Sequence, residues 1–135
     1  MANKLDLAEK NIKKVAEALS ILLANTYILY TKTQKFHWNV VDERFYLLHK
    51  LFEEQYEELA EATDTIAERI RMIQKKTPAT LREFLEMSKI KETDSYPSGQ
   101  QMIRILLNDH ETIIREIRPI IEEINDMGDE GSGDM

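Results

Sequence analysis

Residues 45–70 read FYLLHKLFEEQYEELAEATDTIAERI, and their periodicity decides the fold. At about 100° per residue, with His49 as zero, Phe45, Leu48, Phe52, Leu59, Ile66, Ile70 and the following Ile73 fall within an arc of roughly 80°. Such an arc is the core face of one long helix, expected over about residues 42–74. Asp42 and Glu43 place negative charge where a first helical turn favours it. Beside the core arc, His49, Glu53, Asp64 and Glu68 occupy a further arc of about 100°. His49 and Glu53 are four residues apart, as are Asp64 and Glu68, so each pair can reach a common ion from one side of the helix.

Upstream, apolar residues recur in steps of three and four at Leu5, Ala8, Ile12, Val15, Leu19 and Leu22, and the stripe resumes at Leu29 after a polar Thr26. This predicts a helix over about 4–34 that stops short of Phe36-His37-Trp38-Asn39, which is expected in a turn. Downstream, KKTPAT (75–80) breaks the pattern. Thr80 with Glu83 forms a capping box for a short helix over about 81–87, and Ser98 with Gln101 forms another at the start of a third long helix, about 99–125. Its seam is Ile103, Leu106, His110, Ile113, Ile117, Ile120 and Ile124, with a kink expected at Pro119. No strand signal and no internal repeat is present. The expectation is an all-α, up-and-down helical bundle over residues 1–125, followed by an acidic, glycine-rich tail, 126–135.

Composition narrows the chemistry. A chain of 135 residues with 42% apolar content can bury one core of ordinary size. The absence of cysteine excludes disulfides, thiolate metal sites and a cysteine nucleophile. No basic segment precedes an apolar run at the start, and no apolar stretch approaches the ~20 residues that span a bilayer, so a cytoplasmic location is expected. A net charge of −7 disfavours neutralising a phosphate backbone and suits cations.

With nitrogen and oxygen ligands alone on offer, the His and carboxylate pairs suit iron, zinc or manganese. His49 and Asp64 are nevertheless fifteen residues apart, roughly 22 Å along a helix axis, and cannot meet at one ion. Two copies of the helix packed antiparallel about a two-fold axis would set His49 and Glu53 of one chain opposite Asp64 and Glu68 of the other, twice per pair. His37 could complete the imidazole side. The alternative within one bundle, a Glu-x-x-His motif on facing helices, is missing, since Gln34, Tyr46 and Leu107 stand three residues before the histidines.

The segments KFHWNV, FYLLHKLFEEQYEELAEATDTIAERI and LLNDHETIIREIRPIIEEINDMGDEG resemble the Dps family, the mini-ferritins named as DNA-binding proteins from starved cells. The resemblance covers nearly the whole chain. It implies a ferritin-like bundle and a shell of twelve subunits built from two-fold dimers. It also implies a ferroxidase that oxidises Fe(II), usually with hydrogen peroxide, and stores the ferric product inside. By position it assigns His37, His49 and Glu53 to one subunit's half of the iron site and Asp64 and Glu68 to the other's, with zinc or manganese as possible substitutes. Glu53 stands where the family often has aspartate, and Trp38 where the family carries a tryptophan, a plausible sink for oxidising equivalents. Val41-Asp42-Glu43 and Lys75-Lys76 replace glycine-containing turns of the family. The family continues into a fourth long helix, so the resemblance further implies either a shortened chain or a neighbouring subunit filling the groove.

Other residues carry blander expectations. His110 reads as a structural histidine, and Glu54, Glu57, Glu58 and Glu61 as a solvated face that would nucleate mineral only if it lined a cavity. Asp126, Asp129, Glu130 and Asp134 are either a flexible acidic tail or cation-steering groups at a pore. Lys4, Lys10, Lys13 and Lys14 make the start mildly basic, so any DNA binding is expected to be weak. The rival functional class is a helical oligomerisation or DNA-compaction module without catalysis.

Overall fold

The computed structural model describes residues 4–126. Four helices follow one another: α1 (Lys4–Asn39), α2 (Phe45–Met72), α3 (Leu81–Met87) and α4 (Gly99–Asp126). Among the described residues there is no strand, and no helix is long and apolar enough to cross a membrane. The tail acids Asp129, Glu130 and Asp134 lie outside the described residues.

α1 runs five residues beyond the expected end, so His37 and Trp38 occupy its last turns and not a loop. Nothing in KFHWN breaks a helix, and tertiary contacts hold it there. Phe36 is wholly buried, and the Asn39 side-chain amide donates to the Lys35 carbonyl at 2.9 Å. α2 begins later than expected. Asp42 and Glu43 precede it, because Asp42 folds a turn in which its carboxylate accepts from the Arg44 N–H (2.8 Å) and its carbonyl from the Phe45 N–H (3.0 Å). The Arg44 side chain also bonds the Asp42 carboxyl and holds it below the usual carboxylate range. α4 closes on this turn. A Cβ on Gly99 would stand 2.6 Å from the Asp42 carboxylate and 2.7 Å from Leu48, so glycine alone allows the approach.

α2 ends in a Schellman turn. The Gln74 N–H bonds to the Arg71 carbonyl (2.9 Å) and the Lys75 N–H to the Ile70 carbonyl (3.3 Å), with Gln74 in the left-handed region at φ 62°. A non-glycine residue there carries strain.

α1 is the hub on which α2, α3 and α4 pack. One cluster joins Val15, Leu19, Leu23 and Ile28 of α1 to Ile66 and Ile70 of α2 and Phe84 of α3. The other joins Leu29 and Phe36 to Leu48 and Phe52 of α2 and Met102 and Leu106 of α4. Thr26, read as a break in the α1 stripe, is buried with its hydroxyl donating to the Leu22 carbonyl at 2.7 Å. Leu5, Ala8 and Ile12 continue the stripe but are exposed, since no described residue covers them. On α4 the expected seam packs inward at Leu106, Ile113 and Ile120, with Met102 buried ahead of it, Ile103 38% exposed and His110 half-buried. Beside this seam the Lys32 ammonium of α1, almost fully buried, bonds the Asp109 carboxylate at 2.7 Å. α4 continues through Pro119, whose ring removes one helical N–H donor.

Both capping boxes are present. Ser98 and Gln101 exchange backbone-to-side-chain bonds of 3.0 and 3.2 Å. At α3, the Glu83 N–H donates to the Thr80 hydroxyl (3.2 Å), and the Glu83 carboxylate accepts from the N–H groups of Ala79 and Thr80 (3.1 and 3.0 Å). These donors pull the Glu83 carboxyl below its ordinary range. Thr80→Ala is expected to lower stability by about 1 kcal/mol, read as a fall in the urea midpoint at unchanged slope. Because Glu83 is depressed in the folded state, its contribution is present above the unfolded pKa and is lost as pH falls through the folded one. The difference between wild type and Thr80→Ala should therefore shrink in acid.

Candidate metal centre

α1 and α2 meet at their linked ends through two histidines. The His37 Nδ1 lies 2.7 Å from the His49 carbonyl, and the His49 Nδ1 lies 2.9 Å from the His37 carbonyl. A carbonyl only accepts, so each Nδ1 must carry its hydrogen. Each Nε2 is thereby left with the free lone pair that a metal requires. The rings stack with centroids 3.8 Å apart and planes 19° from parallel. The structure thus brings His37 and His49 together, joined by this reciprocal clasp.

Two aromatic residues frame the pair. Phe45 stacks on His49 at 5.0 Å, and Tyr56 tilts against His37 at 5.3 Å. Burial pushes the Tyr56 phenol up, with Glu53 and Glu57 adding to the rise, so it stays protonated. Tyr56 was not singled out from the sequence, although it stands two turns from His49 on the same side of α2. Phe45 was expected in the core and is instead 46% exposed. Periodicity gives an angle about the helix, and Phe45 lies in the first turn of α2, before α2 enters the bundle.

Glu53 follows His49 by one turn and is half-buried, whereas Asp64 and Glu68 are exposed further along α2. Among the described residues, no three histidine, aspartate or glutamate side chains come together to hold an ion. What one chain offers is two imidazoles with the nearby Glu53, and separately a pair of carboxylates. Near the imidazoles in the chain, Trp38, Val41, Tyr46 and Leu47 are all more than half exposed. Glu54, Glu57, Glu58 and Glu61 are exposed, as a solvated face requires.

The ferritin-like domain family matches residues 16–135. The DNA protection during starvation protein of Brevibacillus brevis is 36% identical over 121 residues, 90% of this chain and 81% of that protein. The chain belongs to the Dps family of ferritin-like proteins. A Dps protein of Vibrio cholerae O1, described as a member of a broad superfamily of ferritin-like diiron-carboxylate proteins, superposes with a TM-score of 0.90 at 31% identity, covering 98% of this chain and 83% of that one. A Dps protein from Bacillus brevis gives the same TM-score at 35% identity, over 93% of this chain and 85% of that one. A low temperature-induced protein of Nostoc is 37% identical over 131 residues, 96% of this chain and 73% of that protein. Within the Dps fold, the clasped histidines join the end of α1 to the start of α2.

Proposed function

We propose that this Dps protein is a ferroxidase that oxidises Fe(II) with hydrogen peroxide and sequesters the ferric product in an oligomeric shell, protecting its cell from both reactants. The observation that carries the reading is the histidine clasp, which commits both Nδ1 atoms to structure and leaves both Nε2 lone pairs available to a ligand. His37, His49 and Glu53 of one subunit bind iron together with Asp64 and Glu68 of a two-fold partner. The exposed Trp38 and Val41, which follow His37 in the chain, are apolar surface that such a partner would cover. Membership of the diiron-carboxylate superfamily supports iron as the substrate metal, and the donor set also accommodates zinc or manganese.

The reaction balances as two Fe(II), one hydrogen peroxide and two protons giving two Fe(III) and two waters. Both electrons leave as a pair, so no hydroxyl radical is released. The carboxylates bring negative charge that favours the ferric over the ferrous ion. Trp38, largely exposed beside the site, is the reserve donor when only one iron is present.

Native mass spectrometry during anaerobic titration with Fe(II) tests this reading, because assembly and metal count are read together. We expect a twelve-subunit particle that takes up one or two irons per subunit. Assembly without defined uptake would leave the non-catalytic oligomerisation or DNA-compaction function in its place, and monomers without uptake would overturn the shared site.

A further inference from the structure

A second feature lies on the far side of the α2–α3 connection from the histidines. A cleft of about 650 Å³ opens between α1 and the segments flanking α3, and Lys13, Lys75, Lys76 and Lys89 line it. Glu17 is its one carboxylate. Among the described residues none of the four lysines forms an ion pair, although neighbouring Lys14 is paired with Glu123. In a chain of net charge −7, four unpaired ammonium groups around one cavity are a marked local reversal.

The backbone holds these lysines in place. Lys75 closes the Schellman turn, and its carbonyl accepts from the Arg71 guanidinium at 2.8 Å. The left-handed Gln74 turns the chain so that Lys75 and Lys76 line the cleft. The Lys89 N–H donates to the side-chain oxygen of fully buried Asn25 at 2.7 Å, which pins the end of α3 to α1. Ala16, Ile21 and Met87 also line the cleft, so the charges border an apolar surface.

We propose that this cleft binds an oligophosphate anion, either a free chain or the chain of a nucleotide. Lysines act as separate point charges, whereas a lone carboxylate or phosphate is best held by a bidentate arginine, and no arginine lines the cleft. Positive charges from three separate segments match a ligand that carries several negative charges in a row. The volume falls in the range of about 300–1,000 Å³ typical of small-molecule sites and far exceeds what one orthophosphate would fill.

Isothermal titration calorimetry of the assembled protein at low salt, with tripolyphosphate as probe, tests the proposal. We expect saturation at one per chain, weakened at least about tenfold by Lys75→Gln with Lys76→Gln and left unchanged by Lys10→Gln, outside the cleft. All three residues are exposed, so folding is not at stake. ATP binding as tightly as tripolyphosphate would assign recognition to the phosphate chain alone, and tighter ATP binding would bring its nucleoside onto the apolar surface. The assignment is overturned if uptake does not saturate, if Lys10→Gln weakens it equally, or if a short DNA duplex binds without regard to Lys75 and Lys76.

Discussion

Replacing Asp64 and Glu68 together by alanine is expected to slow Fe(II) oxidation by at least about a hundredfold, or roughly 2.7 kcal/mol of barrier, while helicity is unchanged. Both side chains are exposed on α2, so their removal leaves the chain's own core intact. The loss would then have to arise at a site completed by a second chain. Stopped-flow absorbance of the ferric product reads the rate, and circular dichroism reads the fold. His49→Ala should slow oxidation comparably for the opposite reason, by removing the imidazole half. Mixing the two inactive proteins under conditions that exchange subunits should restore activity, because a mixed dimer contains one intact site. Unchanged rates in the double variant, or no recovery on mixing, would remove the shared site from consideration.

The largest effect on stability is expected at Asp109. Its carboxylate neutralises Lys32, whose side chain is 5% exposed against 15% for Asp109. Asp109→Ala strands an ammonium group inside the bundle and should cost about 3–5 kcal/mol, lowering Tm by roughly 10–20 °C. Replacing both partners, as Lys32→Met with Asp109→Leu, removes the desolvation cost together with the attraction and should return stability to near or above wild type. Thermal melts at one protein concentration distinguish the two cases. A double variant as unstable as the single one would mean that the pair stabilises in its own right.

These two sites differ in how far the sequence revealed them. The register of α2 was legible because Leu48, Phe52, Ile66 and Ile70 keep a strict helical period, and all four are buried. The end of α1 was not, since the continuation of the helix through KFHWN depends on contacts that His37 and Phe36 make with α2, beyond the reach of local pattern. The buried charge pair did leave a trace. Lys32 falls between Leu29 and Phe36, and Asp109 between Leu106 and Ile113, all in steps of three and four. Opposite charges on the apolar stripes of two helices can share a core only if they meet there. The sequence placed His37 as a candidate partner of His49, but the exchange of Nδ1–H bonds was invisible because it uses backbone carbonyls. The pairing of Asp64 and Glu68 with those histidines is a proposal that involves a second chain and rests on spacing and family membership.

The histidine clasp has a consequence for the order in which the molecule comes together. It joins residues only twelve apart, whereas the Lys32–Asp109 contact that seats α4 spans seventy-seven. Short loops close at low entropic cost and early, and long ones close late. The histidine clasp is therefore expected to form with the α1–α2 hairpin, before α4 is seated. On the proposed two-fold site, a newly made subunit would meet its partner with the nitrogen ligands already set, and only the carboxylates would await the encounter.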